Sequence, residues 1–230
     1  MMSDRMKQTL ALHWKAARWP LVPFVLASFG VPLAAMTSAG AAAERETFAS
    51  GPAMILIMQQ WLVLLPLTAA TLGITMGLIA WAWDHRANHV YALALPIERW
   101  RYTLLKFGAG VIVLLLPVLA AYAGALLGRA LVDVPDGLHE YPTAFALRFL
   151  LAALITFSVT FALAAGTMKT AIRVLTALIL FIVFGSILVG FIERVTGVDD
   201  LITPVQMLHD SATWPGPFHV FGGNWMLIDV

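Results

Sequence analysis

"MILIMQQWLVLLPLTAATLGITMGLIAWAW", Met54 to Trp83, is apolar from end to end and broken only by uncharged polar side chains such as Gln59, Gln60 and Thr68. An α-helix rises about 1.5 Å per residue, so about 20 apolar residues cross a hydrocarbon layer of roughly 30 Å. This stretch exceeds that length, enough to tilt or to extend past the bilayer, and Trp81 and Trp83 at its end suit a membrane interface.

Blocks of the same kind recur on both sides. They run from Pro20 to Ala42, with Pro20, Pro23 and Pro32 inside, and then from Leu104 to Leu127, Ala144 to Gly166 and Ala171 to Ile192. Proline is better tolerated in a membrane helix than in a soluble one. After Ile192 a polar stretch with scattered Pro and Gly has the character of a loop, and "NWMLIDV", Asn224 to Val230, begins another apolar run. The expected fold is an all-α polytopic membrane helix bundle of five complete transmembrane helices, a truncated sixth and an N-terminal amphipathic helix. Its parts would be a cytoplasmic segment 1–19, a transmembrane domain 20–192 with a loop 84–106, and an extracytoplasmic region 193–230. The bulk numbers agree: 230 residues are 60% hydrophobic and 12% charged, against about 25% charged in soluble chains, and the mean hydropathy is +0.85.

Several function classes drop out. The chain has no Cys, which excludes disulfides, thiolate metal sites and Cys nucleophiles. The net charge of +1 gives no sign of nucleic acid as a partner. The first twenty residues lack the small-residue cleavage site of a removable signal peptide, so the first apolar run is expected to stay as an anchor. Of the 14 Lys and Arg residues, Arg5, Lys7, Lys15, Arg18, Arg86, Arg99, Arg101, Lys106, Lys169 and Arg173 fall on one set of alternating connections, leaving Arg45, Arg129, Arg148 and Arg194 for the other. By the positive-inside rule the N-terminus and the loop 84–106 are cytoplasmic. Within the first twenty residues Met6, Leu10, Trp14 and Ala17 recur at helical spacing, with Lys7, Lys15 and Arg18 off that stripe. Two readings stand: an amphipathic helix on the inner membrane surface, or a basic flank of the first span.

The connection from Asp84 to Lys106 is longer than a chain reversal needs. Val90, Leu93, Ala94, Ile97 and Trp100 are spaced for a helical face, and Pro96 breaks that pattern or starts a new helix. A short helix, a corner and a second helix with Glu98 in its first turn are expected. Such an element could dock on another protein or lie in the lipid interface.

The segment "WDHRANHVYALALPIERWRYTLLKFGAG", Trp83 to Gly110, resembles the cytoplasmic loop of ABC-2-type transporter permeases. The matching residues are Asp84 and Arg86, then Leu93, Leu95, Pro96, Arg99 and Lys106. The order of spans, the N-terminal start and the cytoplasmic N-terminus agree with that family over nearly the whole chain. Asp84 stands where Glu is commoner, and Ala87 and Asn88 replace the usual Gly or Thr. The resemblance implies the transmembrane subunit of an ABC exporter in a bacterial cytoplasmic (inner) membrane, working as a homodimer or heterodimer with a cytoplasmic ABC ATP-binding subunit. It implies no cofactor in this chain, ATP and Mg being bound by that partner. It also implies a coupling helix whose contact with the ATPase, roughly Asn88 to Trp100, draws on Asp84, Arg86, Asn88, Leu93, Leu95, Pro96, Arg99 and Trp100.

Independently, the chain contains no "GxxxxGK[ST]" phosphate loop, so it does not bind ATP by that route. Alternatives from another class are a membrane-embedded enzyme, or an assembly factor whose basic loop binds lipid or another partner. His85 and His89, four apart beside Asp84, form a candidate metal pair without a third ligand at useful spacing. Ser158 and Ser186 lie in apolar helices with no nearby base, and the remaining histidines, His13 among them, are assigned to loops. A secondary transporter finds no support in an inverted repeat or a charge at a span centre. "GITMG", Gly73 to Gly77, and "GALLG", Gly124 to Gly128, are small-xxx-small patterns whose expected use is packing within one subunit.

Overall fold

The computed structural model describes residues 2–45, 50–61, 63–86, 98–166 and 217–222, isolated positions between 173 and 206, and residues 225 and 227–229. Its helices are α1 (Met2–Arg45), α2 (Ser50–Gln60), α3 (Leu64–Arg86), α4 (Arg99–Leu131) and α5 (Pro142–Ala165). Two short strands, β1 (His139–Glu140) and β2 (Ile228–Asp229), complete the elements described together with a 3-10 turn, Pro217–Phe221. The chain divides into two compact units, Met1–Phe161 with Asn224–Val230, and Ala162–Gly223. In the second unit the Phe218 and Phe221 rings stack across the 3-10 turn with centroids 6.5 Å apart.

Among the described residues four helical segments are long and apolar enough to cross a membrane: Lys7–Arg45, Ser50–His85, Arg99–Leu131 and Pro142–Ala165. They contain the first four expected spans. The expected fifth, Ala171 to Ile192, lies for the most part outside the described residues. Within the second span α2 ends at Gln60 and α3 begins at Leu64, and Trp61 donates its backbone N–H to the Met58 carbonyl at 3.0 Å. Pro66 explains the position of the restart: without an N–H it is harmless in the first turn of α3, whereas further along it would leave a carbonyl unbonded.

The N-terminal segment is not a separate amphipathic helix. Residues 2–45 form one helix through all three prolines. The stripe that packs shares Ala17 with the expected one but otherwise runs through His13, Leu21, Pro32, Ala35 and Ala39, while Trp14 stays 47% exposed. Hydrocarbon gives apolar side chains no reason to leave it for one another, so helices associate through close contact of small residues and dispersion. Both glycine pairs work this way. A Cβ on Gly124 would overlap the Phe29 carbonyl of α1, and one on Gly128 would meet Met36 Cβ at 2.7 Å; Gly73 and Gly77 lie against Ala153, Thr156 and Thr160 of α5. The outer surface is apolar, with Leu26, Leu56, Leu67, Leu78, Leu119 and Leu147 all exposed, as a lipid-facing belt requires.

The chain's last described residues correct a second expectation. Rather than opening a sixth membrane helix, Ile228–Asp229 pair antiparallel with His139–Glu140, and the Tyr141 N–H donates to the Leu227 carbonyl at 2.8 Å. Trp225 supplies the reason: it is 2% exposed, set edge-on to Phe145 at 6.3 Å with the Arg148 guanidinium 5.1 Å over its ring. Arg129 at the end of α4 pairs with Glu140 at 2.7 Å on the same side of the bundle.

Candidate functional site

The segment with the resemblance begins at the end of α3 and ends in α4. Its residues 87–97, which include Asn88, His89, Leu93, Leu95 and Pro96, lie outside the described residues, as does the side chain of Arg86. What the structure describes is the root of that segment, where its two ends meet.

α4 starts at Arg99. Glu98 precedes it with an extended backbone (φ −59°, ψ 132°) and accepts the Tyr102 N–H on its carbonyl at 3.1 Å. Its carboxylate makes no cap to the backbone and pairs instead with Arg101 at 2.9 Å, both groups being solvent-accessible. Arg99 and Trp100 are exposed on this first turn. Two turns further in, the character changes. Lys106 is 6% exposed and its ammonium donates to the carboxylate of Asp84, which is 3% exposed. The Tyr102 hydroxyl lies 3.2 Å from both Asp84 oxygens. The same ammonium sits 4.2 Å over the Trp81 ring and 5.2 Å from that of Tyr102.

Helical geometry accounts for this arrangement. Trp81 and Asp84 are three apart at the end of α3, and Tyr102 and Lys106 four apart near the start of α4, so each pair lies on one face of its helix. The lysine stem is long enough to cross between the faces. A buried carboxylate and a buried ammonium are each costly, and become tolerable only with a partner and further hydrogen bonds. Tyr102 and the π-face of Trp81 supply those extra contacts.

Around this pair the other helices close in. His13 of α1 is 7% exposed, and its Nε2 meets no hydrogen-bond partner among the described residues. It faces Gly110 of α4, lying 3.6 Å from the point a Cβ there would occupy. Phe157 fills the same spot from α5, 2.5 Å from that point. Phe161 packs on Trp81 with centroids 5.2 Å apart, and Phe107 meets Phe157 at 5.2 Å and Phe161 at 5.3 Å. Four helices therefore converge on one polar contact wrapped in aromatic rings. No family model, curated protein or solved structure matches the chain.

Several expected placements change. Asp84, assigned to an outward contact, is turned inward onto Lys106. Trp81 is buried rather than interfacial, while Trp83 is exposed. His13 belongs to a helix and not to a loop. Among the described residues no three His, Asp or Glu side chains come together as metal ligands. The Ser158 hydroxyl donates to the Leu154 carbonyl of its own helix at 2.7 Å, and Ser186 lies outside the described residues. Thr68 likewise bonds back to Leu64 at 2.7 Å.

Proposed function

We propose that the chain is the permease subunit of an ABC-2-type exporter, driven by a separate cytoplasmic ATP-binding subunit that docks on the segment 88–100. The observation that favours this reading is the buried bond between Asp84 and Lys106, because it ties together the two stems from which that segment projects. A loop on independent stems would absorb a push by bending. On stems joined by a paired, desolvated contact, the push moves α3 and α4 together, and the packing of His13 and the Phe157 and Phe161 rings carries it to α1 and α5.

In this reading the N-terminus, the loop and its exposed Arg99 and Trp100 face the cytoplasm, and a further span follows α5 to give the five complete helices. ATP and Mg bind to the partner, whose closure displaces the loop. The work transmitted equals the difference in the loop's affinity for the two ATPase states, since a loop that bound both equally would shift nothing. Two permease copies then alternate between inward and outward exposure of an apolar path.

The test is co-purification in mild detergent from the native host, comparing the wild type with the Leu95→Glu, Arg99→Glu double variant. An ATP-binding subunit that accompanies the wild type and is lost from the variant supports the proposal; its absence from both refutes it. A second arm measures transmission itself. The Asp84→Asn, Lys106→Met variant should still bind the ATPase and leave its turnover unresponsive to the permease.

A further inference from the structure

We draw no further inference here: the strongest candidate, the cluster of buried polar side chains where His13 of α1 approaches the Asp84–Lys106 pair of α3 and α4, belongs to the site already described.

Discussion

Replacing Lys106 with Met keeps the apolar stem and removes the charge, leaving the Asp84 carboxylate among Trp81, Tyr102 and the surrounding helices without its counter-ion. Both side chains are nearly fully buried, 8% exposed for Lys106 and 4% for Asp84. Removal of one partner from such a pair costs about 3–5 kcal/mol, because the remaining charge keeps its desolvation penalty and loses what offset it. Tyr102 cannot repair the loss, since its hydroxyl already donates to Asp84 in the intact protein. The cation–π contact with Trp81 disappears as well, part of the same sum. Neutralising both groups is different. With Asp84→Asn and Lys106→Met together, no charge is stranded and Tyr102 still finds an amide oxygen, so the pair of changes should cost only about 1–2 kcal/mol, chiefly the lost cation–π contact. The double-mutant cycle then shows a coupling of about 2–3 kcal/mol or more. Sodium dodecyl sulfate titration in mixed micelles, followed by far-ultraviolet circular dichroism, measures all four proteins. Strict additivity of the two single changes, or a Lys106→Met cost below about 1 kcal/mol, would mean that the pair is solvated and that the stems are not joined through it.

Other substitutions test the packing and the far end of the bundle. Gly73→Val should destabilise by about 1–3 kcal/mol because the new side chain meets the Ala153 backbone and Thr156; Gly30→Ala in α1, with nothing within 4 Å of the added methyl, should stabilise by up to about 1 kcal/mol. Equal effects in the same detergent titration would refute the close approach of α3 and α5. Trp225→Ala should cost about 3–5 kcal/mol through its packing against Phe145 and should expose the β1–β2 pair to proteolysis at Leu138 and Leu227; unchanged resistance to chymotrypsin would contradict the strand pairing. Burial holds the Glu140 carboxyl above its usual range, while Arg129 opposes that shift. Arg129 is largely exposed, so its ion pair is weak and burial prevails. An acid raised on folding contributes its stability fully below the unfolded value, about 4.3, and loses it as the pH rises through the folded value. Against Glu140→Gln, the wild type should therefore lose relative stability as the pH rises from about 4 and then level off; a constant difference between pH 4 and 7 would refute the inward burial of that carboxyl.

Much of the bundle is legible in one dimension because the signals are local. Runs of about 20 apolar residues announce α1, α4 and α5, whereas the division of the second apolar run into α2 and α3 is not read from it. The two small-xxx-small patterns announce helix contacts, although not their partners, α1 for Gly124 and α5 for Gly73. The site resisted the same reading for a physical reason. Asp84 and Lys106 are 22 residues apart and flank a basic segment, so each has the appearance of a solvated charge at a helix end; only the antiparallel approach of α3 and α4 reveals a pair. The Leu10 and Trp14 stripe concealed His13, since α1 turns that stripe toward lipid and its smaller side chains toward α4. The strand pairing of Ile228–Asp229 joins residues some 90 positions apart, and five apolar or aromatic letters in "NWMLIDV" fit a membrane helix as well as a strand.

A membrane bundle can join two helices with leucines alone, and a buried ion pair is seldom the more stable choice. What the pair adds is geometry. Leucine contacts in hydrocarbon are nearly degenerate, since a small slide exchanges one apolar neighbour for another or for lipid. An ammonium seated between a carboxylate, a phenol hydroxyl and an indole face has one arrangement that satisfies every group, and a slide of a few ångströms strands a charge. The register between α3 and α4 is thereby held at the level of Asp84 and Lys106. Deeper in, the glycine contacts of α1 with α4 and of α3 with α5 are close but uncharged, so those faces can shift at a lower cost. The ends of α3 and α4 that meet at Asp84 and Lys106 are therefore held more stiffly than the helix faces beyond them.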